Sequence, residues 1–175
     1  MLERRLANEW ILLQELADRN PGRMTDLSMD GSTLTLRLHG PAASYVGTDG
    51  HLCLITSHAI RVDFPVHFPA VPMEMFLAVP VFHPNIHPET CFVCLWDRHR
   101  VSNTVEHAMH KLVAMLAGEL QNTTPLHVMQ PLAVEHPMRS EPMPLLGVPY
   151  DRGPASLSVQ SPPDTASPVR RRRLQ

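Results

Sequence analysis

The segment Phe82-His83-Pro84-Asn85-Ile86-His87-Pro88-Glu89-Thr90-Cys91-Phe92-Val93-Cys94-Leu95-Trp96 gathers two thiols, two imidazoles and a side-chain amide in one stretch without a clean period. Three roles suit such a set. A partly exposed cysteine in a polar loop can be a thiolate nucleophile or carry an acyl group as a thioester. Acyl transfer from a thioester passes through a tetrahedral oxyanion, to which an amide such as Asn85 can donate. The visible bases are His83, His87 and His99, and a Cys–His peptidase would need an imidazole placed beside its sulfur. The second role is metal binding. His83-x3-His87-x3-Cys91-x2-Cys94 has ligand types and spacings that zinc accepts, although no second Cys-x2-Cys pair supports it. The third is plain packing, because cysteine is among the most buried residue types. Cys53, inside an apolar strand pattern, fits core packing only.

These residues need a scaffold, and the chain has room for one domain and a tail in 175 residues. The apolar fraction is 43%, enough for a core, and the formal net charge of −2 argues against nucleic-acid binding through bulk charge. Arg170-Arg171-Arg172-Arg173 is the one strongly basic run, either a solvated tail or a docking patch for an acidic partner. No apolar run reaches the roughly 18–20 residues that span a bilayer, so no membrane association is expected. Asn8, Glu9, Gln14 and Glu15 break up the N-terminal region, which does not read as a signal peptide. Three cysteines without an export signal suggest free thiols in a reducing compartment, the cytoplasm.

Leu2, Leu6, Trp10, Leu13 and Leu16 recur at helical spacing, predicting an amphipathic helix stopped by Asn20-Pro21-Gly22. The period then changes to two. Leu34, Leu36 and Leu38 alternate with polar residues, Asp30-Gly31 is a turn signal that can close a hairpin with residues 24–29, and Gly40-Pro41 is expected to end the strand. Residues 51–56 and 59–64 read as one bent strand or two, and 73–79 as another. Short strands with short connections favour an antiparallel meander. Three prolines in residues 64–72 predict an extended, rigid connection. Helical spacing returns from Val105 to Leu116, with Ser102 or Asn103 as cap, Glu106 completing a capping box and Gly118 near the end. A shorter helix can follow over 128–136 if Pro131 sits in its first turn. Residues 139–175, rich in proline, serine and arginine, read as a largely disordered tail after a domain over 1–138.

The order of these segments resembles the ubiquitin-conjugating enzyme (UBC) family over roughly the first four-fifths of the chain, to about residue 137. Phe68-Pro69-Ala70-Val71-Pro72-Met73 resembles the family's Tyr-Pro-x-x-Pro-Pro link. His83-Pro84-Asn85 follows at family spacing, and Cys94-Leu95 falls at the catalytic position one residue later than usual. Thr104-Val105 resembles the opening of the family's second helix, and Thr124-Pro125-Leu126 its Asp-Pro-Leu. The resemblance implies an α+β, UBC-like fold: an N-terminal helix, a four-stranded antiparallel meander and C-terminal helices.

It implies an activity as well: acceptance of a ubiquitin-like modifier from an activating enzyme as a thioester on Cys94, then transfer to a substrate lysine, without metal or nucleotide. Asn85 would steady the loop and the oxyanion, and Thr124 would stand at a gate usually occupied by Asp or Ser. His83, Pro84 and Asn122 would support the site. Arg4 and Arg5 match where the family meets its activating enzyme, a merely solvated helix face being the alternative. The departures are informative. Ala70 replaces the phenylalanine with which many members touch RING-type ligases, so such a ligase is a doubtful partner. Trp96 follows Cys-Leu where an acidic residue is common, the loop from Cys94 to Thr104 is short, and Thr124 lacks a carboxylate. Such divergence resembles bacterial members encoded beside a ubiquitin-like protein, an activating enzyme and a deconjugating peptidase, some of them associated with defence against phage. Other functions to weigh are an inactive UBC-variant binding module, a zinc-stabilised interaction domain using His83, His87, Cys91 and Cys94, and a cysteine peptidase.

Overall fold

A computed structural model describes residues 2–147 of the chain. Helix α1 (Leu2–Arg19) buries Leu6, Leu13 and Leu16 on one stripe, as its periodicity predicts. Glu9 shares that buried stripe. Its Oε2 accepts a hydrogen bond from the Val105 amide at 2.6 Å, and its Oε1 pairs with Arg5 Nε at 2.8 Å. Burial raises the Glu9 pKa, while the Val105 amide and Arg5 pull the other way. A buried carboxylate thus pins α1 to the start of the next long helix.

Strands β1 (Met24–Asp30), β2 (Thr33–Val46), β3 (Leu52–Asp63) and β4 (Glu74–Leu77) form the antiparallel meander. A two-residue β5 (Phe92–Val93) extends it. Among the described residues the sheet therefore has five strands, in chain order. Gly40-Pro41 does not end β2. The ladder shifts register between His39 and Ala43 and resumes, so the proline sits in an irregularity, where its missing N–H is tolerated. Residues 51–64 yield one long strand, and its first half protrudes. Cys53 there is only half-buried, not core, and its neighbours Leu52 and Leu54 are exposed. The proline link is folded rather than extended. Phe68 N–H donates to Pro65 O at 2.8 Å and Val71 N–H to His67 O at 3.0 Å, tucking Phe68 into the core edge-on to Phe64.

Helix α2 (Val105–Leu116) is buried on nearly every side, as a central helix must be. Its N-cap is Thr104 rather than Ser102 or Asn103. Thr104 Oγ1 accepts from His107 N–H, and the Thr104 amide donates to His107 Nδ1, closing a capping box. Glu106 is not its partner, because Arg19 Nη2 holds that carboxylate at 2.8 Å. Gly118, at φ +71°, ends the helix. A 3-10 turn (Pro125–His127) and a short helix α3 (Pro131–Glu135), with Pro131 in its first turn, follow.

Packing continues beyond residue 138. Leu145 is buried, Arg23 Nη2 donates to Met143 O, and Asn20 clips Leu146 through both its carbonyl and its amide at 2.8 Å. The expectation of a disordered tail, and the arginine run, otherwise fall on residues outside those described. No helix among the described residues is long and apolar enough to cross a membrane.

Candidate active site

The irregular stretch after β4 folds back on itself. His87 N–H donates to Phe92 O, Ile86 bridges Val93, and Cys94 N–H donates to Asn85 O at 2.9 Å. Asn85 and Cys94 therefore face each other across a narrow loop. The Asn85 side chain, 2% exposed, staples this loop to the segment after α2. Its Nδ2 donates to Asn122 O at 2.7 Å and His127 O at 2.9 Å, and its Oδ1 accepts from Asn122 N–H at 2.7 Å. Both amide hydrogens are committed, so the oxyanion role expected of Asn85 has no hydrogen left to serve it in this arrangement. Its structural part, steadying the loop, is fully formed.

His83 is buried beneath. Its Nδ1 accepts the Asn85 N–H at 3.1 Å, which leaves the proton on Nε2, donated to Leu120 O at 2.9 Å. Burial depresses its pKa to about 4, so it is neutral at physiological pH. Pro84 contributes its carbonyl, which accepts from Met129 N–H at 2.8 Å. Asn122 is a hub, with Nδ2 donating to Asp97 Oδ1 at 2.7 Å and Oδ1 accepting from Thr124 N–H at 2.9 Å. Thr124 is exposed one 3-10 turn before His127.

The imidazole beside the cysteine is none of His83, His87 and His99. His83 is locked as described, His87 Nδ1 accepts from the Glu89 and Thr90 amides, and His99 Nε2 donates to Pro69 O. Instead His127 Nδ1 lies 3.2 Å from Cys94 Sγ. The signal for it was its place directly behind Thr124-Pro125-Leu126. Cys94 is half-buried, and its pKa is raised, first by burial and then by Asp97, with Lys111 acting oppositely. Asp97 thus brings a carboxylate to bear on the sulfur from the position after Trp96. Lys111 is buried on α2 with Nζ 5.5 Å from the centre of the Trp96 ring.

The zinc arrangement does not form. The nitrogens of His83 are both taken, and Cys91, in a left-handed turn at φ +59°, packs against the core. Among the described residues no group of three or more His, Cys, Asp or Glu is arranged to hold a metal ion. Arg5 is half-buried, bonded to Glu9 and to Asn103 O and stacked 5.4 Å from the Phe68 ring centre, while Arg4 is exposed.

No protein-family model matches the chain, and no curated protein matches it in sequence. Solved structures do match. A protein described as a ubiquitin-conjugating enzyme from Trypanosoma cruzi aligns over 76% of this chain and 87% of its own, with TM-score 0.57 and 17% identity. The H. polymorpha ubiquitin-conjugating enzyme Pex4p, solved with the soluble domain of Pex22p, aligns over 76% of this chain and 85% of its own, with TM-score 0.53 and 18% identity. This chain has the UBC-like fold. At that identity the likeness concerns architecture, and the chemistry around Cys94 rests on the side chains themselves.

Proposed function

We propose that the chain is a conjugating enzyme for a ubiquitin-like modifier. Cys94 attacks the modifier's activated C-terminal thioester, and the acyl group then passes to a lysine amine of a target protein. The observation that carries this reading is Cys94 itself: a half-buried sulfur at the end of the His83-Pro84-Asn85 loop, its amide held by Asn85 and an imidazole at 3.2 Å. A raised thiol pKa keeps Cys94 protonated at rest and calls for a base at transfer. The energy comes from the activating enzyme, since exchange between sulfurs is close to neutral.

Arg4 is an exposed cation at the start of α1 suited to docking the activating enzyme, whereas Arg5 serves the α1–α2 contact. Thr124 lines the approach of the acceptor. We place the protein in a bacterial conjugation system with its own modifier, activating enzyme and deconjugating peptidase, in the cytoplasm, and with anti-phage defence as its setting. The support for that placement is the divergence at Ala70, Trp96 and Thr124.

The test is a non-reducing gel of the protein with its cognate activating enzyme, modifier and ATP. A thiol-sensitive adduct is expected, lost with Cys94→Ala and kept with Cys91→Ala. The reverse pattern moves the site to Cys91. The Cys94–His127 pair also suits a cysteine peptidase, which would show turnover with neither ATP nor activating enzyme.

A further inference from the structure

The thioester cycle leaves open which nucleophile takes the acyl group, and the side chains around Cys94 bear on that choice. Once the sulfur is acylated it has lost its own proton. The imidazole that faced it at 3.2 Å then faces the thioester. His127 is held there by its backbone, independently of its ring. Its carbonyl accepts from Asn85 Nδ2 at 2.9 Å, and its N–H donates to Thr124 O at 2.8 Å.

A lysine acceptor arrives as an ammonium with an ordinary pKa near 10.4 and must shed a proton before it can attack. A carboxylate at the gate would favour that cation, and the gate here is the neutral Thr124. The nearby carboxylate of Asp97 is bonded to Asn122 Nδ2. That carboxylate and the Lys111 cation act on the sulfur with opposite signs, Asp97 the more strongly, so the charges around Cys94 neither gather nor reject an ammonium on their own. A hydroxyl arrives neutral and has no such proton to shed beforehand. It is a poor nucleophile unless a base takes its proton during the attack, and a positioned imidazole is suited to that task.

We propose that His127 is the general base of acyl transfer from Cys94 and that it extends the acceptors from lysine amines to serine and threonine hydroxyls. This rests on the thioester reading above. In the step, the hydroxyl oxygen bonds to the thioester carbonyl carbon while its proton passes to His127 Nδ1. Collapse of the tetrahedral adduct breaks the C–S bond. The imidazolium returns the proton to the leaving sulfur. An ester and a free Cys94 thiol result, and the imidazole is restored.

The experiment separates loading from discharge. The protein is acylated with excess acetyl-glycylglycine thioester of mercaptoethanesulfonate, a probe that needs no modifier recognition, until mass spectrometry shows Cys94 loaded. The excess is then removed. Discharge is followed with N-acetylserinamide or N-acetyllysinamide. An ester product, stable to thiol but cleaved by hydroxylamine, is expected from the serine acceptor. Its formation should fall on the order of 100-fold in His127→Gln. Added imidazole should restore part of the rate in His127→Ala, which a purely structural role would not allow. Wild-type discharge to serine should follow an ionisation that is absent from the His127→Gln profile. Lysine products alone, or serine discharge equal in wild type and His127→Gln, overturn the proposal and leave the thioester reading standing. Absence of any acyl-Cys94 overturns the thioester reading itself.

Discussion

Acid should weaken this fold through His83. The ring is 5% exposed, with Nδ1 accepting from Asn85 N–H and Nε2 donating to Leu120 O, so a second proton would destroy the first bond and leave a charge in the interior. Burial lowers its pKa from 6.5 to about 4. Between those values the unfolded chain binds a proton that the folded protein refuses. Stability from this group is therefore complete above pH 6.5 and lost as pH falls toward 4. At about 1.4 kcal/mol per pH unit the whole loss is about 3 kcal/mol, and about 2 kcal/mol of it is gone by pH 5. Urea unfolding at pH 7 and pH 5 measures this. His58 and His110, also depressed by burial, add to the wild-type slope, so the comparison is with His83→Gln, whose amide can keep the bond to Leu120 and cannot titrate. The wild type should lose about 2 kcal/mol more than the variant between the two pH values. Equal losses would show that His83 does not hold its neutral form by burial, and the assignment of its tautomer would fall with it.

Other perturbations act on the same framework. Asn85→Ala removes the side-chain bonds to Asn122 and His127 and should lower unfolding free energy by about 3 kcal/mol, read by thermal or urea denaturation. Gly118→Ala places a Cβ against the Met138 carbonyl at a left-handed position and should cost at least about 1–2 kcal/mol in the same assay. Asn20→Ala releases Leu146 and should speed tryptic cleavage after Arg139 about tenfold, corresponding to about 1.4 kcal/mol of lost hold.

Periodicity carried the large elements. The leucine stripe of α1, the alternation in β2 and the buried face of α2 each repeat an elementary spacing, so their burial follows from local pattern. What escaped the sequence was decided by distant partners. Glu106 looks like the capping-box residue until Arg19, 87 positions away, takes its carboxylate. Gly40-Pro41 looks like a terminator until the neighbouring strand supplies a ladder on both sides of the irregularity. Glu9 looks like a solvated helix residue until the Val105 amide arrives to bury it. Composition past residue 138 suggests a free tail, yet Leu145 and the Asn20 clip tie its first part down. The motif around Cys94 displayed its thiols and histidines openly, and the histidine that lies against the Cys94 sulfur came from outside it.

That last gap has a single physical origin. Cys94 and His127 lie 33 positions apart, and no local rule couples them. Asn85 does so with two different parts of one residue. Its backbone carbonyl takes the Cys94 amide, and its side-chain amide takes the His127 carbonyl. Thiol and imidazole are thus held through the main-chain atoms of their own residues. The sulfur and the ring are then free to be chosen for chemistry alone. An amide at position 85 can be replaced by nothing smaller without letting the two segments part, because only a side chain with two donor hydrogens and an acceptor can satisfy Asn122 O, His127 O and Asn122 N–H together. The geometry of the pair can therefore persist while the surrounding sequence diverges, provided that one amide remains.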